Sequence, residues 1–214
     1  MTAARVAALF VKTNGVYFGL DGVDPWDEKR DARLYADPWP VVAHPPCQRY
    51  CRFAKQVELL HGYKVSDDGG CFEAALNAVR TYGGVLEHPA NSLAWDIYGL
   101  PKPAAMAGWT TSLDDEGASC YVEQGRYGLP MRKATWLYAY GVDLPNLRWG
   151  RRIDSEGGPF KWGSYLYKGA PNKDRPRLSA AILDETPIEF RDVLLDMARS
   201  ADQTLATTRG AESS

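Results

Sequence analysis

Apolar positions fall in short unbroken runs, with stretches of helical period between them. Val6–Val11 (Val-Ala-Ala-Leu-Phe-Val) has the length and content of a buried strand, and Thr13-Asn14-Gly15 behind it is turn chemistry. Residues 22–37 are charged and irregular. Val41-Val42-Ala43 is a second short strand, running straight into His44-Pro45-Pro46-Cys47, and a helix is predicted from Cys47 through Phe53 to about Leu60. Phe72, Ala75, Leu76 and Val79 recur at helical spacing up to Tyr82, where Gly83-Gly84 stops the helix. Val85-Leu86-Glu87 reads as the next strand, ended by His88-Pro89, and Asn91 as the cap of a short helix through Ala94, Trp95 and Tyr98. Strands are expected at Ser119–Glu123 and Ala134–Tyr140, around a Gly- and Pro-rich cationic turn at 125–133. Thr186-Pro187-Ile188-Glu189 has the form of a capping box with Pro at the first helical position, opening a helix whose Phe190, Val193, Leu194 and Met197 share a face. Alternating strands and helices predict one α/β domain over residues 1–200 with a largely parallel sheet, then a flexible tail at 201–214.

Composition narrows the function. The chain has 214 residues and a net charge of −2, which excludes a globally basic nucleic-acid binder and leaves room for a local basic patch. Residues 148–177 are such a patch: eight Lys and Arg, among them Arg151 and Arg152, stand against three acids and are interleaved with Trp149, Trp162 and Tyr165. That stretch reads as a basic, aromatic loop insertion able to hold nucleic acid, or as a scaffold whose aromatics pack on the sheet. No apolar run approaches the ~18 residues of a membrane span. The run Val6–Val11 after Arg5 is shorter than a signal-peptide core, so no membrane partner is expected. Four cysteines suit free thiols in a reducing compartment, hence a cytoplasmic location.

Two peptides fall at strand ends, where parallel α/β sheets hold their ligands. In His44-Pro45-Pro46-Cys47-Gln48 two prolines make a stiff turn that presents a thiol, and a helix starting there would favour the thiolate. Cys47 is then a covalent nucleophile or a buried structural thiol. In Val85-Leu86-Glu87-His88-Pro89 a carboxylate closes an apolar strand, a costly position unless the group is paired or used. It can bond a base edge or sit in a structural ion pair. In Tyr127-Gly128-Leu129-Pro130-Met131-Arg132-Lys133 a rigid turn carries adjacent cations suited to a carbonyl oxygen or phosphate, or forms a solvated tip.

In this order, Pro-Pro-Cys-Gln, a strand-end Glu and Tyr-Gly-x-Pro-x-Arg-Lys, the three peptides resemble the DNA cytosine-5 methyltransferase family over residues 41–140. The chain also looks like short phage and prophage methyltransferase-like proteins. The resemblance implies a doubly wound, mostly parallel sheet of the class I methyltransferase type, truncated in its cofactor half. It implies a transferase that modifies a pyrimidine at C5, cytosine first, on a flipped base in DNA. Cys47 would attack C6, Glu87 would hold the N3 and N4 edge, and Arg132 would contact the base with Lys133 as the other cation. His44, Pro45, Pro46, Gln48, His88, Arg151 and Arg152 would line the substrate. S-adenosylmethionine is the implied donor, with Phe10 and Asp24 at its site, although Phe10 is followed by Val11-Lys12-Thr13-Asn14-Gly15 and the first glycine of the family's loop is missing. Glu87 is followed by His-Pro where the family has Asn-Val. Alternatives are the same thiol chemistry with another donor or on a free nucleotide, and an inactive nucleic-acid-binding module. A zinc deaminase is disfavoured, because Cys47 and Cys51 are spaced Pro-Cys-x-x-x-Cys with no upstream His-x-Glu, and no metal is expected.

Overall fold

A computed structural model of the chain describes residues 5–51, 54–129, 132–151 and 185–201. Pro130, Met131, Arg152, nearly all of the basic insertion and the tail from 202 lie outside the described residues. The described part is α/β, with a seven-stranded mixed sheet in the order β2-β1-β3-β4-β7-β6-β5. The strands are β1 Val6–Leu9, β2 Val23–Trp26, β3 Val41–Ala43, β4 Gly84–Pro89, β5 Trp109–Thr111, β6 Ala118–Glu123 and β7 Ala134–Tyr140. β2, β1, β3 and β4 pair in parallel, whereas β4–β7, β7–β6 and β6–β5 pair antiparallel. The largely parallel sheet expected from the sequence is therefore parallel in one half and antiparallel in the other. Because β7 runs against both β4 and β6, β6 points the same way as β4.

Strand periodicity sorts the core into two layers. Ala7, Leu9, Val41, Ala43 and Leu86 face one side with Phe72, Leu76 and Val79 of α2 (Cys71–Tyr82). Val6, Ala8, Val42 and Val85 face the other with Phe190, Leu194 and Leu195 of α4 (Ile188–Arg199). Helices on both faces explain why these strands are apolar throughout rather than alternating. Gly84 opens β4 at φ 138°, where an added Cβ would lie 2.0 Å from the Val41 carbonyl oxygen, so a glycine is required for β3 and β4 to meet.

The remaining elements are α1 (Ala54–His61) and α3 (Ala94–Ile97). Several expectations are corrected. Residues 22–37 contain β2 and a short 3-10 turn at Ala32–Leu34. β2 escaped notice because its sequence Val-Asp-Pro-Trp is half-buried at a sheet edge, where Pro is tolerated. Asn91 takes a left-handed conformation (φ 63°), and Ser92 Oγ accepts from the Ala94 N–H instead. The Thr186 capping box does not form. Pro187 occupies the cap position, and Glu189 pairs with Arg148 at 2.6 Å. No helix among the described residues is long and apolar enough to cross a membrane.

Candidate active site at the carboxyl ends of β3 and β4

The parallel register pairs Ala43 with Leu86. One step further, His44 meets Glu87, and its Nδ1 lies 3.0 Å from Glu87 Oε2. Cys47 follows on the turn after β3. This turn is closed by the Tyr50 and Cys51 N–H groups, each donating to the Cys47 carbonyl at 3.0 Å. Pro45 is buried, Pro46 and Gln48 are exposed, and Cys47 is half-buried. The predicted helix does not start at the thiol, since α1 begins only at Ala54. A helix amino terminus is therefore not available to favour the thiolate. Burial pushes the Cys47 thiol up, the negative charge of Glu87 pushes it the same way, and Lys133 opposes both. The resting group is a thiol.

Glu87 is 7% exposed. Burial alone would raise its carboxyl, but the hydrogen bond with His44 and the positive charge of Lys133 outweigh it, and the group is held at about 2. Gln124 Nε2 donates to the other oxygen, Oε1, at 2.8 Å, and also to Thr135 Oγ1 at 3.1 Å. The Tyr17 hydroxyl lies 2.8 Å from His44 Nε2. Four parts of the chain thus converge around the carboxylate at the end of β4: the loop after β1, the end of β3, the end of β6, and the start of β7.

Strand geometry separates the other expected residues. Neighbours on β4 point to opposite faces, so His88 leaves Glu87 and enters the core. It packs there against Tyr50, Phe72 and Trp95 with ring centroids 5.2–6.3 Å apart. It is 1% exposed, and its polar neighbour is the Pro46 backbone of the Cys47 turn. Burial lowers its pKa to about 4, so it is neutral near pH 7 and lies in the core, not among ligand contacts. Arg132 is engaged by the fully buried Glu123, with Nε 2.8 Å from Oε2, and Tyr121 donates to the same carboxylate at 2.6 Å. The structure places Arg132 in an ion pair with Glu123, across the turn from β6 to β7. Lys133 is the cation whose field reaches both Cys47 and Glu87, and its Nζ donates to the Glu185 carbonyl at 3.3 Å. Arg151 is exposed at the edge of the described residues, where its carbonyl accepts from Arg126 at 3.2 Å.

The residues expected at a donor site are closed on themselves. Phe10 has φ 58° and packs against the core, and the turn behind it is locked by the Gly15 N–H donating to Lys12 O at 2.9 Å. Asp24 accepts from Arg30 at 2.6 Å and from the Trp26 indole at 3.0 Å. Asp27, at the end of β2, accepts from Thr13 at 2.6 Å and from the Lys29 N–H at 3.0 Å. Both acids hold contacts within the protein, and the turn after β1 is closed on itself, so the expected residues do not form an open donor site. Tyr17, Gln124 and Thr135 had not been singled out. The strand-end rule that found Glu87 also applies to Gln124 at the end of β6, whereas Tyr17 carries no local signal. Comparison with known proteins returned no matching family model, no matching curated protein and no matching solved structure.

Proposed function

We propose that the chain is an enzyme acting at C5 of a pyrimidine base, cytosine first, through a thioether between Cys47 and C6. The observation that carries this reading is the juxtaposition at one sheet edge of a half-buried thiol on a proline-stiffened turn and a buried, ionised carboxylate. Each oxygen of Glu87 already accepts one N–H and retains capacity for another, so the carboxylate can take an N–H from the base edge. Lys133 supplies positive charge where a carbonyl oxygen or phosphate would lie. In the chemical step the Cys47 thiol gives its proton to water and sulfur bonds to C6. The electrons of the 5,6 double bond pass to C5, which takes an electrophile or a proton; water then removes the hydrogen that C5 already carried, the C5–H pair re-forms the double bond, and the S–C6 pair leaves on sulfur. S-adenosylmethionine is the donor implied by the resemblance to cytosine-5 methyltransferases. No step is routed through it.

Oligonucleotides carrying pyrimidin-2-one, a base more electrophilic at C6 than cytosine, test the reading without a donor. Acid quenching and peptide mapping should find the base on the Cys47 peptide, with no adduct in Cys47→Ser. Duplex DNA, single-stranded DNA and the free nucleotide, run in parallel, identify the substrate form. Adduct on Cys51 instead, or none on any substrate, would overturn the assignment.

A further inference from the structure

With His44 neutral, the hydrogen bonds around Glu87 have one consistent set of directions. Both carboxylate oxygens sit on nitrogen atoms, His44 Nδ1 at 3.0 Å and Gln124 Nε2 at 2.8 Å. A carboxylate only accepts, so His44 Nδ1 carries a hydrogen. In the neutral ring Nε2 is then the acceptor, and the Tyr17 hydroxyl at 2.8 Å donates to it. Tyr17 is 2% exposed and its ring leans on the imidazole with centroids 5.4 Å apart, so the pair is also held by packing. Burial keeps the Tyr17 hydroxyl well above its ordinary value, so it keeps the hydrogen that it offers to the neutral ring. The Gln124 amide is likewise fixed one way round, because turning it would set its oxygen against the carboxylate. Its Oε1 stays buried with no hydrogen bond among the described residues, so the amide is oriented for the groups that its nitrogen serves. Thr135 takes part in the same lock, accepting from Gln124 Nε2 at 3.1 Å while donating to the Lys133 carbonyl at 3.2 Å.

We infer that Tyr17 and Gln124 are positioning residues for Glu87: Tyr17 fixes the His44 tautomer that donates to Oε2, Gln124 donates to Oε1, and the carboxylate meets its ligand as an oriented acceptor. The clamp stands on geometry alone; only the identity of the ligand as a base edge rests on the function proposed above. Tyr17 acts through His44 and touches no reacting atom. The groups facing the carboxylate are His44 and Gln124 in contact, with Lys133, His88, Tyr17 and Cys47 at longer range.

Carbon-13 labelling of glutamate carboxyls, with Glu87 assigned by its loss in Glu87→Gln, reads the clamp directly in the full chain. The wild-type Glu87 resonance should remain that of a carboxylate down to about pH 3. Tyr17→Phe, which keeps the ring, should move the titration upward. His44→Leu should move it further, by about one pH unit for loss of a charge-assisted hydrogen bond. His44→Asn, whose amide can donate from the Nδ1 position, should restore much of the wild-type titration. Adduct formation with the pyrimidin-2-one oligonucleotide should fall about 3- to 10-fold in Tyr17→Phe, on the scale of one net hydrogen bond, and its acid limb should shift with the titration. An unchanged Glu87 titration in Tyr17→Phe and His44→Leu, with native melting, overturns the clamp. A wild-type protein that forms no adduct but shows the titration shifts keeps the clamp and overturns the proposed reaction.

Discussion

Acid should destabilise this protein well above the pH at which its carboxylates protonate, and His88 is the reason. Its ring lies among Tyr50, Phe72 and Trp95, and burial outweighs the Pro46 backbone and the Glu87 charge and lowers its pKa from 6.5 to about 4. The unfolded chain binds a proton at His88 below about pH 6.5, while the folded chain resists until about pH 4, so stability falls with pH across that window. The size follows from the two values. Between about pH 7.5 and about pH 4.5 the loss from this one group is about 2.5 kcal/mol, a large fraction of the ~5–15 kcal/mol by which domains are stable. Glu87 has a different window: its carboxyl is held at about 2, so its contribution is present above about pH 4.3 and is lost only as pH falls towards 2. Urea melts at several pH values, at constant m, measure the slope. His88→Leu removes the titration together with a buried polar ring. It should be near neutral or stabilising at about pH 7.5 and flatten the decline between about pH 6.5 and 4.5. A variant that keeps the wild-type slope would refute the assignment to His88.

Other perturbations test separate parts of the account. Arg132→Ala strands the fully buried Glu123 and should cost about 3–5 kcal/mol, with most of the loss recovered in the double variant carrying Glu123→Gln; a native melt for Arg132→Ala alone would free Arg132 for ligand contact. Gly84→Ala drives a Cβ into the Val41 carbonyl, so it should lose about 4 kcal/mol or more or fail to fold, as read by thermal denaturation and soluble yield. Because Cys47 rests as a thiol pushed above its ordinary range, adduct formation should climb with pH through about 8.5 without levelling; a plateau below that value, seen in rates of adduct formation, would mean an activated thiolate.

What the sequence revealed was set by local rules. Unbroken apolar runs located β1, β3, β4, β6 and β7 to within a few residues, and helical periodicity located α2 and α4. The rule that ligands gather at strand ends brought His44, Cys47 and Glu87 to one edge, and the structure joins His44 to Glu87 directly. The period of two along β4 could have shown that Glu87 and His88 face opposite ways, which removes His88 from the site. The ion pair of Arg132 was not legible because its partner, Glu123, lies across a turn, and nothing local marks a carboxylate that is fully buried in such a pair. Tyr17 stayed invisible because its contact with His44 spans 27 residues and depends on how the loop after β1 folds back. The antiparallel half of the sheet was unreadable for a similar reason: β6 and β7 were located correctly, but their direction is a tertiary property.

The central claim is that Cys47 forms a reversible bond to C6 of a pyrimidine, and hydrogen exchange at C5 tests it most directly. Addition of sulfur to C6, protonation at C5 and reversal replace the C5 hydrogen with one from solvent, whatever donor completes the natural reaction. Cytosine-containing DNA and the free nucleotide, incubated with the protein in deuterium oxide and digested for mass spectrometry, should gain one deuterium at C5 with the wild-type protein and with Cys51→Ser. Cys47→Ser should give none. Exchange that persists in Cys47→Ser, or wild-type protein that leaves C5 unlabelled on every substrate, would contradict the account.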